Sequence, residues 1–208
     1  MERVDNYQIQ TQQAKKRFLS YDQQKLIEKL KLKYDAEFLY VKMLCKLYRL
    51  NRTSGDLESW DGTDWQDSNT FGEVLTLLDL VCDSREGRYL SCRWKNMQSF
   101  GLMFHQNLLE KERDPWAERF QQDPEGMRKA CLALGGQPLP QGDVAYAIEL
   151  FDGLCIALQF WEGDEEFPPK VNVLWDENAL MYLKYETMWF AVGMLKQRIL
   201  KQMKNLTE

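Results

Sequence analysis

Asp152-Gly153 sits between two largely apolar runs, 144–151 and 154–161. An Asp-Gly pair in that setting favours a two-residue type I′ turn. Both central positions need a left-handed backbone, which Asp tolerates and Gly adopts freely. The turn implies a hairpin and its register. Phe151 faces Leu154, Leu150 faces Cys155, Ala147 faces Leu158 and Val144 faces Trp161. Both faces of this hairpin come out apolar, with Glu149 and Gln159 as exceptions. Strands that are apolar on both faces need cover on both. The hairpin therefore belongs in the middle of a sheet, against helices or another layer. A third strand, Val171 to Trp175, follows the Pro168-Pro169 break.

The flanking sequence supplies the cover. Residues near Asn6 to Leu19 and the stretch Asp22 to Tyr34 read as two helices. The second is amphipathic, with Leu26, Ile27, Leu30 and Leu32 set against Lys25, Lys29, Lys31 and Lys33. It reads as a core-docked helix with a solvated lysine face, in preference to a calmodulin-like or membrane-surface segment. Phe38 to Leu50 alternates strictly and reads as strand, broken once. Turn residues at 51–56 lead to a short strand at Leu57 to Trp60, then Asp61-Gly62 turns again. Phe71 to Val81 is a helix started by Asn69 or Thr70. Arg88 to Met97 reads as strand, and Met103 to Phe120 as helix. A further helix opens at Asp123-Pro124 and closes at Gly135-Gly136. Tyr185 to Leu206 is the last, with basic residues toward its C-terminus. The expected class is α+β: a mostly antiparallel sheet of roughly four to six strands, with the central hairpin, packed by N- and C-terminal helices. One domain spans 1–208, with the helical pair in 1–35 and the acidic hairpin plus C-terminal helix in 137–208. The stretch at 135–140 is the one internal seam.

Charge is segregated along this chain. Between Gln137 and Leu183 stand nine acids and one base, Lys170, whereas the whole chain carries only −5. Asp143, Glu162, Asp164, Glu165 and Glu166 collect where the hairpin ends opposite its turn, beside Trp161 and Phe167. Trp175 ends the third strand and Asp176 follows it. Asp176 joins the cluster only if that strand crosses over; antiparallel pairing sends it to the far end.

Two classes of function fit these residues. In the first, a binding module holds a small cationic ligand or a basic protein partner, with the carboxylates pairing the charge and the rings offering their faces. In the second, a divalent-metal-dependent enzyme, hydrolase-like, uses the same carboxylates. Glu162, Asp164 and Glu166 are hard oxygen ligands suited to Mg or Ca, and Gly163 permits a tight bend. The spacing is not that of an EF-hand loop. Two carboxylates roughly 5–10 Å apart could also hydrolyse glycosides, as Trp beside acid suits sugars. Against all of these stands a solvated acidic turn beside core tryptophans. No catalytic residue is assigned.

Other chemistries fall away. His105 is the single histidine, in an amphipathic helix with no evident partner. There is no P-loop and no dinucleotide fingerprint. The net negative charge and the lack of a basic aromatic patch argue against nucleic acid, and no apolar run approaches the about 20 residues of a membrane span. Five dispersed cysteines form no metal or disulfide framework, and Cys45 and Cys155 lie in apolar runs as core residues do. With no cleavable apolar segment at the start, the expected location is cytoplasmic.

The chain resembles the uncharacterised prokaryotic family named domain of unknown function 3786. The matching stretches are Pro138-Leu-Pro-Gln-Gly-Asp143, Phe160-Trp-Glu-Gly-Asp-Glu-Glu-Phe-Pro168, Val173-Leu-Trp-Asp176 and Tyr182-Leu183. The N-terminal helical pair and the strand after Glu37 also follow the family's layout. The resemblance implies a cytoplasmic protein of bacteria or archaea with no assigned reaction. Some relatives join this region to an iron–sulfur segment. The cysteines here lack cluster-binding spacing, so that role is not carried over.

Overall fold

The structure, a computed structural model, describes residues 6–100 and 114–206. It is α+β, and its strands distribute over two antiparallel sheets of five. The chain divides into two compact units: Met1–Tyr89 with Leu180–Ala191, and Leu90–Ala179 with Val192–Glu208. The seam at 135–140 falls inside the second unit.

Unit 1 begins with helices α1 (Asn6–Ser20) and α2 (Gln23–Leu30). Asp22 caps α2, its carboxylate accepting from the Gln24 and Lys25 amides. Leu26, Ile27 and Leu30 are buried and Lys25 is exposed, as a core-docked helix requires. The helix stops at Lys31, which takes a left-handed backbone. Residues beyond it turn into strand, so α2 is shorter than its lysine pattern suggests. A meander follows: β1 (Lys33–Tyr34), β2 (Phe38–Met43), β3 (Lys46–Asn51), β4 (Leu57–Trp60) and β5 (Trp65–Asp67), in that spatial order. The break expected within 38–50 is a two-residue turn at Leu44-Cys45, both with positive φ. Non-glycine residues seldom adopt that geometry. Burial of Leu44 accompanies it here. Helix α3 (Phe71–Asp83) packs against α1. Its apolar stripe (Val74, Leu77, Leu78, Val81) is fully buried, as are Phe18 of α1 and Leu39, Met43, Tyr48, Leu50 and Leu57 of the sheet.

Unit 2 holds β6 (Trp94–Asn96), helices α4 (Pro115–Gln121) and α5 (Pro124–Ala133), β7 (Gln137–Pro138), β8 (Val144–Phe151), β9 (Leu154–Trp161) and β10 (Lys170–Asp176). The sheet order β6-β10-β9-β8-β7 puts the hairpin at its centre. Both hairpin strands are buried almost throughout, with α4 packed on β9 and β10 and α5 on β8. Only 94–96 of the strand expected over 88–97 is strand. The helix expected from Met103 begins, within the described residues, at Pro115; His105 lies outside them. Helix α6 (Tyr185–Asn205) gives residues 185–191 to unit 1 and the remainder to unit 2.

The hairpin corrects one expectation. Asp152 and Gly153 do form the turn, at φ 50° and 81°. Phe151 pairs Leu154 as expected, but Glu149 then pairs Cys155. Leu150 is left over as a β-bulge, so every later pair moves by one. Ala147 faces Ala157 and Val144 faces Phe160. A bulge inserts an unpaired residue and slips the register beyond it. The Glu149 carboxylate folds onto the turn, accepting from the Gly153 amide at 3.0 Å. The slip has a consequence at the other end: Trp161 runs past the end of β8 and pairs only Lys170 of β10.

The cysteines also depart from expectation. Cys45 is exposed at the β2–β3 turn and Cys155 is half-buried, whereas Cys82 and Cys131 are the buried pair. Burial pushes both buried thiols up to about 12, Cys82 against the opposing charge of Arg17. Thiolate is the reactive form. A thiol reagent near pH 8 is therefore expected to label Cys45 and Cys92 in the native protein. Cys82 and Cys131 should react only in denaturant. Mass-spectrometric mapping checks this, and fast native labelling of Cys131 would contradict it.

Candidate functional site

The acidic rim lies where β8 begins and β9 ends. Asp143 anchors it: its amide donates to the Phe160 carbonyl, and its carboxylate accepts from the Glu162 amide at 2.7 Å. Gln121 of α4 accepts from the Gly163 amide at 2.8 Å. A side chain at Gly163 would meet the Pro169 ring at 2.6 Å, so the loop requires glycine there. Asp164 closes a local turn. Its amide donates to the Phe167 carbonyl, while its carboxylate accepts from the amides of Glu166 and Phe167 at 2.8 and 2.7 Å. Those two amides hold the Asp164 carboxyl below its ordinary range.

The loop is thus pinned at three points, and the pins are Asp143, Gln121 and Asp164. The remaining acids project from it. Glu162, Glu165 and Glu166 are exposed, and among the described residues none has a partner for its carboxylate. Trp161 is 42% exposed and Phe167 is 67% exposed. Lys170 starts β10 directly opposite Trp161.

Two of the residues selected from sequence lie elsewhere. Trp175 is completely buried in β10. Asp176 stands at the other end of that strand, because β10 runs antiparallel to β9. It is 5% exposed and accepts from the Ser91 amide and hydroxyl and the amides of Cys92 and Asn178. It is a structural anchor for the 91–92 turn, where Cys92 sits at φ 57°.

Glu162, Asp164 and Glu166 are not gathered around one point. Among the described residues no three His, Cys, Asp or Glu side chains are arranged to hold an ion. The reason is local: the Asp164 carboxylate is turned back onto the amides of its own loop.

Two other features, neither marked by a local sequence motif, stand in unit 1. Asp79 and Asp83, four apart in the mostly apolar α3, meet Arg17 of α1 and Lys184. Acids inside an apolar helix signal such buried pairing. A groove of about 660 Å³ also runs along α1 past Tyr7, Thr11, Asn69 and Phe71. Its Lys15 is already engaged by Asp56 and Asn69. Among the described residues no helix is long and apolar enough to cross a membrane.

An α+β architecture with two antiparallel sheets and an acidic, ring-bearing rim defines the molecule's class in structural terms only. Its sequence matches the profile described as "Domain of unknown function (DUF3786)" over residues 22–198, and the chain belongs to that family. The match starts at the cap of α2 and ends within α6, so it encloses both sheets and the rim. No curated protein and no solved structure matches the chain.

Proposed function

We propose that the protein is a binding module whose acidic rim receives a basic, lysine- or arginine-bearing segment of a partner. The observation that carries this reading is the combination at one edge of unit 2: carboxylates at Glu162, Glu165 and Glu166, without partners among the described residues, beside the exposed rings of Trp161 and Phe167. Cations paired with carboxylate beside an aromatic face gain from both contacts. The pinned loop lowers the ordering cost of association. A small organic cation would use the same groups. The carboxylates do not converge, which favours an extended partner over a chelated ion.

Substitution of Glu162, Glu165 and Glu166 together by glutamine tests the reading. An Arg- and Lys-containing peptide is the probe, followed by calorimetry at low and moderate salt. The wild type is expected to bind with an affinity that falls as salt rises, because exposed charges are screened. The triple variant should lose roughly tenfold or more while keeping its melting temperature. Binding that ignores both the substitutions and the salt would refute the proposal. Thermal stabilisation by Mg²⁺ or Ca²⁺ that Asp164→Asn abolishes would support the enzyme reading instead.

A further inference from the structure

We infer that the basic segment received by the acidic rim is the end of its chain: a C-terminal arginine or lysine whose α-carboxylate pairs with Lys170. Lys170 thereby selects among ligands within the binding mode proposed above, on which its role rests.

Lys170 opens β10 and stands directly opposite Trp161 of β9. Directly opposed residues on antiparallel strands project from the same face, so the two side chains adjoin. Lys170 is exposed, and among the described residues its ammonium has neither an ion pair nor a hydrogen bond. The Asp143 carboxylate, at the start of β8, is turned to the Glu162 amide at 2.7 Å. The Asp164 carboxylate is turned to the amides of Glu166 and Phe167. Both signs of charge therefore adjoin one exposed ring: Lys170 faces Trp161 across the strand pair, and Glu162 follows Trp161 in the chain.

That arrangement discriminates among basic segments. A segment carrying only positive charge gains from the rim's carboxylates but meets repulsion from Lys170, and like-charge juxtaposition is how interfaces reject wrong partners. A ligand that carries a cation and an anion within a short span satisfies both. The last residue of a chain does so by itself when its side chain is basic. In an extended segment successive side chains point to opposite sides, so an acid next to the base would face away from the rim. An acid two residues along returns to the same side, but a further residue must then be ordered, at an entropic cost. The terminal carboxylate needs only one ordered residue.

The test is an NMR titration of the isotopically labelled full chain, at low salt, with two pentapeptides that end in arginine, one as the free acid and one as the amide. The free acid is expected to bind roughly threefold to fivefold tighter. Lys170→Gln should erase that preference, weakening the acid while binding the amide at least as well as the wild type does. Lys170→Arg should restore it. Both variants should keep the wild-type unfolding midpoint, since Lys170 is at the surface. Equal affinities for acid and amide, or a preference that survives Lys170→Gln, would overturn the inference and leave the rim's hold on a basic segment standing. So would an amidated peptide with an aspartate two residues from its arginine that binds as tightly as the free acid. Failure of every peptide to bind would instead remove the rim reading, and the role of Lys170 with it.

Discussion

Asp79→Ala is expected to destabilise the protein by about 3 kcal/mol, read as a fall in the denaturant midpoint at unchanged slope. Asp79 is 5% exposed and sits at the centre of the unit 1 charge cluster. Its carboxylate accepts from Arg17 at 2.6 Å, from Lys184 at 3.3 Å and from the buried Thr187 hydroxyl. Asp83, one turn later on α3, takes the second Arg17 nitrogen at 2.9 Å and Lys184 at 2.7 Å. Removing Asp79 strands two cations on one carboxylate and leaves the Thr187 hydroxyl without its acceptor. Removing one partner of a buried pair typically costs about 3–5 kcal/mol. Arg17 and Lys184 both reach water, so the lower end applies. Lys184→Met should cost under about 1 kcal/mol, since that side chain is half exposed. Equal costs for the two substitutions would show that the cluster is not organised around Asp79.

The same cluster has a definite pH dependence. Burial pushes the Asp83 carboxyl up, but the Lys184 bond and the charges of Arg17 and Lys184 outweigh it and hold it below its ordinary value. A carboxyl depressed in the folded state stabilises above its unfolded value, about 4. That contribution is lost as pH falls through the lower folded value. For Lys184 burial lowers the ammonium's pKa, yet bonding to Asp83 and the charge of Asp79 raise it overall. Its contribution is complete below about 10.4 and is lost as pH rises through the higher folded value. Stability from this cluster should therefore plateau between those limits.

Asp176→Ala is the second large effect, expected at about 3 kcal/mol. The substitution deprives three backbone amides and the Ser91 hydroxyl of their acceptor. A fully buried donor left unmade costs about 1–3 kcal/mol; Ser91 and Asn178 are half-buried and Cys92 is exposed, so each loss here lies toward the low end. Cys92 would also lose the bond that accompanies its left-handed backbone. Asp176→Asn retains one oxygen but turns an NH₂ group toward an amide donor, so roughly half the loss is expected. Hydrogen exchange should show amides 91 and 92 opening in the alanine variant. A variant with wild-type stability and protected amides would remove Asp176 from its anchoring role.

Much of this fold was legible in the chain. Periodicity marked α2, α3 and α6, and Asp-Gly and Asp-Pro marked the turn at 152–153 and the start of α5, since these depend on neighbours a few residues apart. The Leu150 bulge was not legible. Leu150 has no backbone peculiarity, and nothing nearby announces that its strand needs an extra residue. The rim was half legible. Its acids and Trp161 could be placed from the hairpin, whereas Trp175 and Asp176 depended on the direction of β10. The pairing of Asp79 and Asp83 with Arg17 and Lys184 joins residues more than sixty positions apart, beyond any local pattern.

Sequence alone therefore determined the local elements, their α+β class and the clustering of acids along 162–166. Tertiary structure decided the rest: two sheets, a register slipped by one, Trp161 exposed while Trp175 is buried, and an Asp164 that serves its own loop. The division has a physical cause. Helix periodicity and turn conformation are short-range properties of the backbone and its adjacent side chains. Register, burial and charge pairing depend on which distant surfaces exclude water from one another.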